Sequence, residues 1–151
     1  MFYYAVLLLF SVGCGQIQDD LVIEQDYRIP WHESSEELKP FVAEFEEIFE
    51  VNVSYPVYLT DDLPGYTNGI CTGFLVDNKK FVPMAIKISK QVWEHGTESA
   101  RKKLMWHELG HCSLELRHNE LEGSVMFFSM SLYEKVNEQV FDDFIEYVNY
   151  L

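Results

Sequence analysis

The sequence predicts an α+β fold: a mixed, twisted β-sheet of about four strands carrying an N-terminal helix, a histidine-bearing helix and a C-terminal helix. Three observations point there. Apolar residues recur at helical spacing between Leu38 and Phe49, and they alternate at strand spacing between Val51 and Val57. Two further apolar runs then flank the turn-forming stretch Asp77-Asn78-Lys79-Lys80.

The chain has 151 residues and is 48% hydrophobic, which is enough for one domain with a real core and short for two. Its first residues are a separate matter. The apolar run from Phe2 to Val12 is too short to span a bilayer as a helix and has the length of a signal-peptide core, although no Lys or Arg precedes it. Ser11-Val12-Gly13-Cys14 resembles the end of a bacterial lipoprotein signal, in which Cys14 would be lipidated, with Ser11 where such signals usually have Leu. An ordinary secretory signal and a buried N-terminal strand are the alternatives. The expected organisation is a signal over residues 1–14, a tether over 15–20 and one domain over 21–151. The protein is then expected to be exported to a bacterial cell envelope, lipid-anchored, periplasmic or at the surface, or else secreted. It would touch a membrane only through that anchor.

Within the domain, residues 21–29 read as a first strand. Residues 35–49 form a helix with Leu38, Phe41, Val42, Phe45, Ile48 and Phe49 on its apolar face and Ser34 or Ser35 as its cap. Val51, Val53, Tyr55 and Val57 make the next strand, which Pro56 places at an edge or a bulge. After a loop over 61–69, residues 70–76 and 81–88 form a hairpin. Thr97 or Ser99 caps a helix reaching about Cys112, with Met105, Leu109 and Cys112 facing the core and His107 and His111 facing a cleft. A last helix over 131–150 buries Tyr133, Val136, Val140, Phe144 and Tyr147. His32 and His95 read as surface residues.

Charge and cysteines narrow the partners. The chain carries 11 Lys plus Arg against 25 Asp plus Glu, a formal net charge of -14. Such a surface repels phosphate backbones and anionic head groups, so nucleic acid is excluded as a partner. Beyond Cys14 the chain has only Cys71 and Cys112. Export would let them form a disulfide, and two separate buried thiols are the alternative.

The chemistry is concentrated between Trp106 and Asn119. His107 and His111 lie four apart on a helix, so both imidazoles reach one zinc ion, and Glu108 between them points to the same cleft. Zinc lowers the pKa of a bound water and polarises a carbonyl, and Glu108 as general base completes the minimum apparatus for cutting a peptide bond. A catalytic zinc takes three protein ligands. The third is either His118, just after the helix, or Glu134 or Glu138 on the last helix, as in a thermolysin-like hydrolase. Neighbouring Glu115, Glu120 and Glu122 are carboxylates within sequence reach as partners of the ligating rings.

His107-Glu108-Leu109-Gly110-His111, a following His118 and then Ser124-Val125-Met126 look like the metzincin clan of zinc endopeptidases, and within it small bacterial matrixin-like members. Those enzymes have HExxHxxGxxH followed by a tight turn with a Met beneath the metal. The resemblance implies a zinc-dependent endopeptidase acting on proteins or peptides, with Zn2+ on His107, His111 and His118, Glu108 as base and Met126 as the Met of the turn. It implies the metzincin-like sheet and helices in the order read above. It also makes residues 84–88 the rim of the cleft, where an extended substrate would add as a strand. This chain departs from the pattern in three places. One extra residue separates His111 from the third His, no Gly lies between them, and Phe128 stands where some members have a Tyr, for which Tyr133 is a substitute. The extra residue is expected to let the chain reverse by a wider route that avoids the need for Gly while still delivering His118 to the metal. A rival of another class is a non-catalytic, zinc-stabilised envelope binding protein, whose site would be closed by a fourth protein ligand. Cys112, next to His111 and directed toward the core, is badly placed for that duty.

Overall fold

The computed structural model describes residues 21–23, 33–65, 67–77, 80–127 and 136–151. The signal and tether over 1–20 with Cys14, and also His32, Phe128, Tyr133 and Glu134, lie outside the described residues. The fold is α+β, with a mixed four-stranded sheet. Its elements are β1 (Leu21–Ile23), α1 (Lys39–Phe49), β2 (Val57–Thr60), β3 (Gly69–Val76), β4 (Lys80–Ser89), α2 (Lys90–His95), α3 (Glu98–Leu114) and α4 (Gln139–Tyr150).

The strand order is β1-β3-β4-β2, with β3 and β4 antiparallel as a hairpin and β1 and β2 each parallel to its neighbour. β2 is an edge strand, in keeping with Pro56 just before it. The strand expected over Val51 to Val57 starts later, at Val57, for two reasons. Val53 N donates to Glu46 Oε1 of α1 at 2.7 Å, so this stretch is bonded to the helix. The ladder with β4 begins only where Ile86 N donates to the Pro56 carbonyl at 3.0 Å.

The entry to α1 also differs from its expected form. A single 3-10 turn, Glu36–Leu38, precedes the helix, and neither serine caps it. Instead Ser34 Oγ accepts from Val57 N at 3.1 Å and Ser35 Oγ from Leu59 N at 3.0 Å, while Ser35 N donates to the Val57 carbonyl at 2.9 Å. The two hydroxyls satisfy the outward backbone donors of β2, which Ala side chains could not do.

α2 was not foreseen. Ser89 caps it, accepting from Val92 N at 3.4 Å, and Trp93 anchors it edge-on to Phe41 of α1, with ring centroids 5.3 Å apart. His95 is exposed. α4 begins at Gln139, later than expected, and its buried face carries Phe141 and Phe144, whereas Tyr147 is 44% exposed. Among the described residues no helix is long and apolar enough to cross a membrane.

α3 lies between the sheet and the pair α1 and α4. Thr97 caps it, accepting from Ala100 N at 3.2 Å. Trp106 is the hub on the helical side: its ring centroid lies 5.9 Å from Phe45, 5.6 Å from Phe49, 5.1 Å from Phe141 and 6.0 Å from Phe144. Met105, Leu109 and Cys112 are buried in the same core as Ile86, Ile88 and Cys71 of the sheet. The residue after Trp106 is His107, so the aromatic cluster of the core holds the helix that carries the site.

Candidate metal centre

Three histidines meet at the end of α3. His107 and His111 project from successive turns, and His118 returns from the chain beyond the helix. Their Nε2 atoms form a near-regular triangle, 3.1 Å between His107 and His111, 3.2 Å between His111 and His118 and 3.1 Å between His118 and His107. His107 is 2% exposed, His111 is 1% exposed and His118 is partly buried.

Protons alone do not explain this triangle. Nδ1 of His107 faces the Val125 carbonyl oxygen at 2.7 Å and Nδ1 of His111 faces that of Leu116 at 2.6 Å. A carbonyl only accepts, so each Nδ1 carries the hydrogen, and in the neutral ring each Nε2 presents a lone pair. Two lone pairs then confront each other across 3.1 Å. A single cation accepting all three relieves that repulsion. Nitrogens bound tetrahedrally to zinc at about 2.0–2.1 Å stand about 3.3 Å apart, close to what is found here. The residues therefore fit a metal ion, and His107, His111 and His118 form the one such cluster among the described residues. Imidazoles also suit other late first-row divalent ions, so the triad does not select zinc by itself.

How the chain reaches His118 differs from the expectation. α3 ends at Glu115, whose φ of 53° is left-handed, and Leu116 N donates back to the Gly110 carbonyl at 3.0 Å. The reversal needs no Gly, as expected, but its route still uses positive φ: a glutamate adopts it, at a cost of roughly 1–2 kcal/mol for an L-residue. Glu115 stands three residues before His118, as the Gly stands three before the last His in HExxHxxGxxH. The additional residue consequently belongs to α3, and the turn that follows keeps its length.

The loop over 119–127 supports the triad from the other side. Asn119 N donates to the Met126 carbonyl at 2.9 Å, and Asn119 Oδ1 accepts from Ser124 Oγ at 2.7 Å and Leu121 N at 3.2 Å. Lys103, one turn before His107 and only 7% exposed, donates through Nζ to the Gly123 carbonyl at 2.8 Å. The loop so braced delivers the Val125 carbonyl to His107. It also delivers Met126, 1% exposed, beneath α3 at Gly110, where a Cβ would lie 2.8 Å from the Met126 sulfur. Only Gly at that position of the helix lets the thioether come so close.

Glu108 is 2% exposed, and its carboxyl group lies against Gly69 at the start of β3. Cys71 and Cys112 are joined in a disulfide, with Cα atoms 5.6 Å apart. Glu138 is exposed at the start of α4 and is not among the clustered ligands, which corrects the alternative of Glu138 as third ligand. The expected rim over 84–88 is corrected for its last three residues. Ile86, Lys87 and Ile88 pair with β2 on one side and β3 on the other, so they have no edge to offer. Glu115, Glu120 and Glu122 are exposed, and the partners of His107 and His111 are main-chain carbonyls. Lys103 was missed, although its position four residues before His107 put it on the same helical face.

Compared with models of known families, with curated proteins and with solved structures, the chain matches none.

Proposed function

We propose that this protein is a zinc-dependent endopeptidase, exported to the cell envelope or beyond, that hydrolyses peptide bonds in proteins or peptides. The observation that carries the reading is the convergence of three imidazole Nε2 atoms within 3.2 Å of one another, with Glu108 following His107 in the chain. His107, His111 and His118 would hold the ion. When bound, zinc would supply Lewis-acid polarisation of the scissile carbonyl and a lowered pKa for water.

The chain's own groups account for the rest. The Val125 and Leu116 carbonyls fix the rings of His107 and His111 with Nε2 toward the ion. Glu108 takes a proton from the attacking water and passes it to the leaving amine nitrogen, so that one carboxylate acts first as base and then as acid. Its burial strengthens each electrostatic interaction it makes. A purely structural zinc would call for a fourth protein ligand, and the cluster among the described residues has three. Lipid attachment at Cys14 belongs to the same proposal, as the means of holding the enzyme at the envelope.

The test begins with metal content. A protein starting at Gly15, treated mildly with chelator and assayed beside its His118→Ala and Glu134→Ala variants, is expected to lose tight zinc only in the His118 variant. A peptide-library screen should then show cleavage by the wild type and none by Glu108→Gln. Zinc retained in full by His118→Ala, or equal cleavage by Glu108→Gln, would overturn the reading.

A further inference from the structure

Two contacts tie α3 to β3, and they run side by side. Glu108 and Cys112 are one turn apart on α3, and Gly69 and Cys71 are two apart on one face of β3. Cys112 is bonded to Cys71. Glu108 rests on Gly69, where an added Cβ would stand 2.7 Å from Oε1, 2.9 Å from Cγ and 3.0 Å from Cδ. Cys71, Cys112 and Glu108 are all buried, so the paired contacts lie inside the packing between helix and sheet.

The histidines are supported elsewhere. The carbonyls that orient His107 and His111 belong to Val125 and Leu116, and the loop bearing Val125 is braced by Lys103 of α3 itself. Neither carbonyl comes from β3. The triad and the carboxylate between its members thus depend on different parts of the molecule, although they occupy one helix turn. Where the carboxylate lies relative to Gly69 depends on how far α3 has slid and rolled on β3. A covalent bond one turn further along the same two elements removes that freedom.

We propose that the Cys71–Cys112 disulfide is the positioning element for Glu108: it fixes α3 on β3 so that the carboxylate is held against Gly69, and the metal triad assembles without it. In its kinetic part this rests on the hydrolase reading. In its structural part it does not.

The experiment uses the full chain loaded with Co2+, with glutamate side chains isotopically labelled, in the wild type, in Cys71→Val/Cys112→Ala and in Gly69→Ala. Glu108→Gln identifies the paramagnetically shifted Glu108 signals by their loss. Expected in both test variants are an unchanged visible Co2+ spectrum and unchanged shifted histidine signals, with displaced Glu108 signals. For peptide hydrolysis, kcat should fall about a hundredfold with KM within about twofold, since misplacement by an ångström is enough for such a loss. Gly69→Ala keeps the disulfide and crowds the carboxylate directly, so it tests only whether the carboxylate is held against Gly69. Should the cysteine-free protein fail to fold, phosphine reduction of the disulfide in the folded, Co2+-loaded wild type takes its place, with displaced Glu108 signals expected and undisplaced ones overturning the proposal. Undisplaced Glu108 signals in either folded variant would overturn the proposal, as would loss of the Co2+ spectrum in the cysteine-free protein. A wild type that never cleaves peptide, with signals moving as described, would sink the hydrolase reading and leave the positioning role standing.

Discussion

Nδ1 of His107 donates to the carbonyl oxygen of Val125 at 2.7 Å, so a residue of the loop 119–127 decides which ring nitrogen of the helix residue is left to bind metal. The loop in turn is held by Lys103, whose Nζ reaches the Gly123 carbonyl. Replacing Lys103 with Met keeps most of the buried stem and removes the donor. Metal affinity is expected to fall about tenfold, the low end of what losing a partner of a ligating His costs. Competition with a chromophoric chelator measures it, and an affinity equal to wild type would show that the loop holds Val125 unaided.

Glu115 ends α3 in the left-handed region, with φ of 53°. Glycine accepts that conformation without the side-chain penalty, at some entropic cost in the unfolded chain. Glu115→Gly should therefore stabilise the protein by about 0.5–1 kcal/mol. Urea midpoints of the two proteins check it, and metal affinity should stay the same because the backbone path to His118 does not change.

The phenol of Tyr55 is pushed up to about 12, chiefly by burial, with a smaller upward push from Glu46 and an opposing hydrogen bond from Ser113. Tyr55 Oη and Ser113 Oγ are 2.6 Å apart, linking the chain before β2 to the last turn of α3. The unfolded phenol ionises near pH 10 and the folded one does not, so the unfolded state binds fewer protons between about pH 10 and 12. Stability from this group is complete below pH 10 and declines by about 2–3 kcal/mol as pH rises to 12. In Tyr55→Phe that share of the alkaline decline should vanish, which denaturation curves at pH 9 to 12 would reveal.

Gly110 gives Met126 its place beneath α3. Gly110→Ala adds helix propensity but forces the sulfur or the loop to move, a crowding that costs about 1–3 kcal/mol. A lower thermal midpoint is expected, and Met126→Ala in the same chain should recover much of the difference by vacating the space. A midpoint at or above wild type in Gly110→Ala would show that the loop yields freely.

Much of this arrangement could be read from residue order alone, and the reason lies in which groups carry it. α1 announced itself through Phe41, Phe45 and Phe49 at helical spacing, and α3 through a cap at Thr97 and paired histidines. Cys71 and Cys112 were the remaining pair once Cys14 was set aside. What escaped was carried by the backbone or by short segments. The carbonyls of Val125 and Leu116 could have been offered by any residues, so nothing in the side chains marked them. α2 has six residues, too few to establish a period. The alternation from Val51 to Val57 was real, but its first residues face α1 and bond to Glu46, and alternation does not distinguish a strand from an extended connection. Positive φ at Glu115 was hidden because a glutamate stands where a glycine would have declared it.

Ser34 and Ser35 close one side of the sheet with hydroxyl groups. On the other side β1 runs along β3 from Cys71 to Gly73. A bare strand margin invites a second molecule to continue the ladder, and such stacking is the start of fibrils. Two serines ahead of a helix thus act as a hem on the fabric of the sheet: they use up the donors that a neighbouring copy would need.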